Sequence, residues 1–316
     1  MHSFRVHNLK KLVVVLRHLP PNERANKVFF FRTKCSRRLY SSCSHQENGS
    51  IKDNREKKKR FVKVVEVGPR DGLQNESKIV PSCDKITFIE MLAAAGCPAI
   101  EATAFVAPKW VPALADAAIV MEGLRHLNSS SVSLSCLVPN LLGCQRAILA
   151  GATEVAIITS ATETFSFKNM NCSREESLAR CREVADTTRK ERIPLRGYIS
   201  CVWGCPYEGS VSLDQVLRMA ENLLELGCYE ISLGDTIGVG TPSKTVDIVQ
   251  ALQRGVGNDK LAVHFHDTYG QGVANTYAAV CEGIGTVDAS VGGLGGCPYA
   301  VGASGNVATE DVVYML

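Results

Sequence analysis

No run of eighteen or more apolar residues occurs in the 316-residue chain, so no membrane-spanning helix is expected. No CxxC pair occurs either, which counts against a zinc ribbon. The 13 cysteines are scattered without a short repeating framework and read as reduced thiols, Cys201 and Cys205 among them as ordinary loop and strand residues. No GxGxxG follows the first strand candidate, which argues against a doubly wound dinucleotide-binding sheet. Histidine is scarce: after Arg60 only His126, His264 and His266 remain.

The formal net charge of +3 conceals a split. Up to Arg60 the chain has 16 Lys or Arg and 4 Asp or Glu, a balance of +12; the remainder has 19 and 28, a balance of −9. The folded part is acidic, so a polyanion-binding function would have to rest on the N-terminal segment alone, and no nucleic-acid or membrane partner is expected. Residues 1–45 are rich in Arg, poor in acid, and end in RRLYSSCS from Arg37, which fits a processing site. This composition predicts a transit peptide, with a disordered basic tail as the alternative. Residues 46–60 read as a basic linker. Their REKKKR run resembles a nuclear signal, but it fits a solvated charge run before the first strand better.

From Phe61 onward, short β-branched runs alternate with helix-length segments. The strand candidates are 62–67, 100–104, 132–138, 155–159, 195–201, 230–233, 261–266 and 287–291. Eight strands alternating with helices over about 250 residues predict an α/β (β/α)8 TIM barrel spanning 61–316. Two helices have clear stop signals, at Gly96 after Ala93-Ala94-Ala95 and at Gly227 after Leu226. In such a barrel, polar residues at the C-terminal strand ends are the site candidates.

The strongest local signal is His264-Phe265-His266-Asp267 at the seventh strand's end. Alternation points both imidazoles at the barrel mouth and Phe265 outward. Strand one ends in Gly68-Pro69-Arg70-Asp71-Gly72, a turn that exposes Arg70 and Asp71; the bland reading is a surface ion pair. With the two histidines, Asp71 becomes a candidate third metal ligand. Imidazoles with carboxylate or amide oxygens suit Mg²⁺ or Mn²⁺, with Zn²⁺ as the alternative. Glu101 ends strand two; an inward carboxylate there should hydrogen-bond Arg70 or Thr236. Strand six ends in Ser232-Leu233-Gly234-Asp235-Thr236, where Asp235 is either a site residue or a helix N-cap. After strand eight comes a Gly-rich loop. Its Cys297 is either a proton donor or acceptor or a small buried hydrophobe, and its Asn306 is either an N-cap or a neutral oxygen ligand. His126 reads as a solvated helix-end residue.

Several segments together resemble the 3-hydroxy-3-methylglutaryl-CoA lyase family, within the metal-dependent lyases and Claisen-type synthases on TIM barrels. They are VVEVGPRDGLQNE, EATAFVAPKWVP, NCSREES, GYISCVWGCPYEG, CYEISLGDTIGVGTP, AVHFHDTYGQ and GGLGGCPYAVGASGNVATED. The resemblance implies that Asp71, His264, His266 and Asn306 bind the metal. It implies that Arg70, Glu101, Asp235, His264 and Cys297 are catalytic, and that Arg70, Ser232 and Thr236 contact substrate. It further implies retro-Claisen cleavage of an acyl-CoA in leucine degradation and ketone-body formation. A mitochondrial matrix location and a homodimer of the full-length form go with it. A condensing synthase on the same metal site, or a catalytically weak truncated isoform, are the alternatives. Two departures stand out. Ala104 replaces a Ser expected in many members, and the chain stops at Leu316, so the last barrel helix is expected to be incomplete and the scaffold less stable.

Overall fold

β-Branched side chains fit a pleated surface with little loss of χ1 freedom, and each run marked in this way is a strand. The computed structural model describes residues 29–31, 60–76, 78–129, 132–296 and 305–316. A short strand β1 (Phe29–Phe31) pairs antiparallel with the start of β2 (Arg60–Glu66). The sequence reading put no strand in this leader segment; residues 1–28 and 32–59 otherwise lie outside the described residues. The parallel strands continue as β3 (Ala99–Ala104), β4 (Ser133–Leu137), β5 (Glu154–Ser160), β6 (Leu195–Ser200), β7 (Glu230–Asp235), β8 (Leu261–Phe265) and β9 (Thr286–Ala289). Each pairs with its neighbour, and β9 returns to β2, Lys63 to Glu66 lying against Thr286 to Ala289, which closes the sheet. The fold is the expected TIM barrel.

The helices are α1 (Ser82–Ala95), α2 (Ala117–Gly123), α3 (Leu141–Leu149), α4 (Glu163–Met170), α5 (Arg174–Glu191), α6 (Leu213–Glu225), α7 (Pro242–Val256), α8 (Gly272–Cys281) and α9 (Thr309–Met315). Gly96 and Gly227 take φ 100 at the ends of α1 and α6, as their stop signals require. Asn140, Ser173 and Thr241 cap α3, α5 and α7 by accepting from Gly143, Glu176 and Lys244 amides. None of the described helices is long and apolar enough to cross a membrane.

Alternation along the strands builds two unlike interiors. Ile100, Leu134, Ile157, Ile199, Ile231 and Val263 are fully buried in the apolar layer under the helices. Each such side chain contributes about 1.5–3 kcal/mol. The alternate residues face the barrel axis, and there the interior is charged: Lys63, Arg196, Tyr198, Glu230, Ser232 and Asp288 meet across it. Buried charges are expensive unless each is paired and hydrogen-bonded, so this filling constrains geometry tightly. It leads upward to the mouth.

Candidate functional site

β2 runs through Val67 into the tight turn Gly68–Gly72, where the Asp71 amide donates to the Val67 carbonyl at 2.8 Å. The turn delivers Arg70 and Asp71 to the C-terminal mouth. Arg70 is buried and divides its donors: Nε and Nη2 each lie 2.6 Å from Glu101 Oε2, and Nη1 donates to Asp71 Oδ1 at 2.6 Å. Of the two partners expected for Glu101, Arg70 is the one found. Burial opposes the guanidinium charge, but Glu101 and Asp71 outweigh it and hold Arg70 protonated. Gln74 Nε2, which the sequence reading did not single out, also donates to Asp71 Oδ1 at 2.7 Å.

β8 sends Phe265 into the apolar layer, where its ring centroid lies 4.7 Å from that of Trp203, and His264 and His266 to the mouth. His264 Nε2 lies 3.8 Å from Asp71 Oδ2. One donor atom from each of Asp71, His264 and His266 falls within 4.8 Å of the others, the one such group of metal-ligating side chains found among the described residues. Asn306 arrives by backbone pairing. The Asp267 amide donates to the Gly305 carbonyl at 2.7 Å and the Val307 amide to the Phe265 carbonyl at 3.1 Å, which makes Asn306 the bridge partner of His266. Asn306 Nδ2 then donates to Asp71 Oδ2 at 2.8 Å and to the Leu294 carbonyl at 3.1 Å. Gly295 permits this approach: its φ is 117, and a Cβ there would lie 2.8 Å from Asn306 Nδ2.

These residues fit a divalent cation. His266 Nδ1 and Asn306 Oδ1 are buried without a protein partner, and both can offer a lone pair. Burial disfavours the Asp71 charge, but Arg70 and the two imidazoles bring its pKa down to about 2, so the carboxylate is ionised. Burial, with His264 alongside, takes His266 down to about 4 and keeps it neutral. Burial also works against protonation of His264, but the bond to Asp288 and the charge of Asp71 raise its pKa.

The remaining candidates are placed differently. Asp235 is fully buried, with Oδ1 accepting from the Val239 amide at 3.1 Å and Oδ2 from the Gly240 amide at 2.8 Å. The cap of α7 itself is Thr241, so Asp235 closes the loop before the helix instead. Burial pushes its pKa up to about 6. Ser232 donates to Asp288 Oδ2 at 2.7 Å, below the mouth, and Thr236 accepts from the Cys201 amide at 2.8 Å. Ala104 packs with Leu114, Leu137, Ala156 and Tyr198. His126 is exposed, beside Glu90. Cys297 lies outside the described residues. The ten cysteines within them are free thiols.

The sequence reading missed the support beneath the histidines. Asp288 Oδ2 lies 3.3 Å from His264 Nδ1, and Arg196 Nη2 donates to Asp288 Oδ1 at 2.7 Å. A lone Asp inside a β-branched strand was the available signal, since strands are poor in Asp.

The family described as HMGL-like matches residues 61–316. A mitochondrial hydroxymethylglutaryl-CoA lyase of Arabidopsis thaliana is 54% identical over 279 residues, covering 88% of this chain and 59% of that protein. A cytoplasmic 3-hydroxy-3-methylglutaryl-CoA lyase of Rattus norvegicus is 54% identical over 256 residues, covering 81% of this chain and 74% of that one. Among solved structures, the hydroxymethylglutaryl-CoA lyase of Pseudomonas aeruginosa superimposes with a TM-score of 0.78 at 51% identity, covering 81% of this chain and 84% of that one.

Proposed function

The chain belongs to the HMGL-like family, and on that premise we propose that it is a divalent-metal-dependent lyase cleaving 3-hydroxy-3-methylglutaryl-CoA to acetoacetate and acetyl-CoA. The observation that carries this reading is the meeting of Asp71, His264, His266 and Asn306 at one mouth, with two buried lone pairs left over and Arg70 against Asp71. Asp71, His264, His266 and Asn306 would hold the cation, Mg²⁺ or Mn²⁺, whose Lewis acidity lowers the pKa of a substrate hydroxyl bound there.

The chain's own residues carry the proton and the charge. With His264 among the residues that would hold the cation, Asp235 would accept the proton of the substrate's tertiary hydroxyl. Its pKa near 6 suits acceptance at neutral pH. As that O–H bond breaks, its electrons form the ketone of acetoacetate, and the C–C bond electrons pass to the thioester α-carbon. Arg70 stabilises the enolate oxygen, and Glu101 holds the guanidinium in place for it. Cys297 donates a proton to the α-carbon, completing acetyl-CoA. Thr236, at the end of β7, forms that side of the substrate pocket, with Ser232 beneath it holding Asp288.

We also assign the protein to the mitochondrial matrix and to a homodimer. The basic, acid-poor N-terminal segment supports the first, while the names of the relatives include both compartments. A reporter fused behind residues 1–45 should enter mitochondria, and a reporter left in the cytosol would overturn that assignment. Sedimentation of the purified protein tests the dimer.

The decisive assay incubates purified protein with the thioester and Mg²⁺ or Mn²⁺ and measures acetoacetate. Release that stops with chelator supports the lyase. Condensation of acetyl-CoA with an oxo-acid, without acetoacetate, would assign the site to a synthase.

A further inference from the structure

We propose that Arg196 is a positioning residue for the metal centre: through Asp288 it fixes the ring and the Nδ1 proton of His264, and so keeps Nε2 directed at Asp71. The inference rests on the metal-centre reading above. Arg196 lies on β6, well below the mouth, and is only 1% exposed. It touches none of the four candidate ligands.

Its donors are committed in a fixed fan. Nε donates to Glu230 Oε1 at 2.8 Å, Nη1 to the Tyr198 hydroxyl at 2.6 Å and to Asp288 Oδ2 at 3.3 Å, and Nη2 to Asp288 Oδ1 at 2.7 Å. The fork on Asp288 is bidentate, which sets the plane of the carboxylate as well as its place. Ser232 adds a third donor to the carboxylate, at Oδ2, 2.7 Å away. Thus oriented, Oδ2 faces His264 Nδ1 at 3.3 Å. A carboxylate in that place takes the imidazole proton on Nδ1, which leaves the lone pair on Nε2, the atom 3.8 Å from Asp71 Oδ2.

The arrangement continues downward and is anchored there. Glu230, which takes Nε of Arg196, also pairs with Lys63 Nζ at 3.1 Å and accepts from Thr286 at 2.7 Å. Without Arg196, Asp288 would be a buried carboxylate that has lost its guanidinium partner and faces repulsion from Glu101. A buried ion pair whose only task is to fill the barrel could be replaced without any effect on a metal ion at the mouth. A pair that sets a ligand's tautomer could not.

Mn²⁺ binding, read by loss of the free-ion signal in electron paramagnetic resonance, separates these. The enzyme is stripped with chelator and titrated as wild type, Arg196→Gln, Arg196→Lys, Asp288→Asn and the Arg196→Gln/Asp288→Asn pair. Loss of an outer partner of a metal ligand typically weakens affinity about 10–100-fold, and Arg196→Gln should fall in that range. Arg196→Lys, which restores charge without the fork, should recover part of it. The double variant should bind no more weakly than Asp288→Asn alone, because both changes act through one carboxylate. The ¹⁵N shifts of His264 should show a wild-type Nδ1–H tautomer that becomes mixed in Arg196→Gln. A lower melting temperature with unchanged Mn²⁺ affinity and tautomer would overturn the proposal, as would additive losses in the double variant. If Arg196→Gln does not fold, unchanged affinity in both Arg196→Lys and Asp288→Asn would overturn it. A wild-type chain that binds no Mn²⁺ would overturn the metal centre itself.

Discussion

Glu101→Gln replaces one oxygen by an NH2 group in the middle of the mouth. In the wild-type chain Nε and Nη2 of Arg70 both meet Oε2 at 2.6 Å, while Oε1 is buried without a partner. Glutamine keeps an oxygen for the guanidinium but removes its counter-charge, and it puts a buried NH2 group where Oε1 has no hydrogen-bond partner. Breaking one side of a buried ion pair typically costs about 3–5 kcal/mol. Asp71 still holds Nη1 at 2.6 Å, so the loss should sit at the low end, ~3 kcal/mol. At about 2–4 °C per kcal/mol for a domain of this size, the melting temperature should fall by roughly 6–12 °C. Arg70, drawn towards Asp71, should lose its hold on the enolate oxygen, with turnover down about 10²–10³-fold. Thermal melts and acetoacetate release on the same preparations test both parts. An unchanged melting temperature, or strictly additive losses in a cycle with Arg70→Gln, would refute the coupling argued here.

Asp71→Asn should abolish ligation at the central carboxylate, weakening Mn²⁺ binding by more than the roughly 10–100-fold typical of outer partners; equal affinity by titration would remove Asp71 from the centre. Turnover should rise with pH through about 6, as burial-raised Asp235 must lose its proton to act as base, and Asp235→Asn should lose that limb of the pH–rate profile. The same shift acts oppositely on stability: the folded pKa lies above the unfolded one, so the Asp235 contribution is full below about 4 and lost as pH rises through about 6, measurable by denaturant melts against Asp235→Asn. Gly295→Ala puts a Cβ 2.8 Å from Asn306 Nδ2 on a φ of 117, and should cost ~1–3 kcal/mol in a melt while lowering Mn²⁺ affinity.

The barrel was legible because β-branched runs and period-two alternation are local signals, and the mouth residues because they sit where strands end. His264, Phe265 and His266 took the sides that alternation assigns them. The filter that found these residues also hid others. It set aside polar residues away from the strand ends, and Arg196 and Asp288 lie there, 92 residues apart in sequence and 2.7 Å apart in space. Only the register of a closed barrel brings them together, and no local pattern encodes it. Asp235 was ambiguous for a different reason. An Asp before a helix reads as a cap, and its carboxylate does accept two amides, but the helix start lies farther on at Thr241.

Asn306 reaches Asp71 across 235 residues of chain, stitched to the end of β8 by two backbone bonds. During synthesis at about 5–20 residues per second, Asp71 leaves the ribosome roughly 12–47 s before its last partner. Over that interval the half-made mouth has a carboxylate and a guanidinium but no complete set of donors. On the reading proposed above, the four-residue donor set would be complete only once Asn306 is paired to the end of β8. A metal ion held by all four side chains would then report that the segment after β9 has docked on the end of β8.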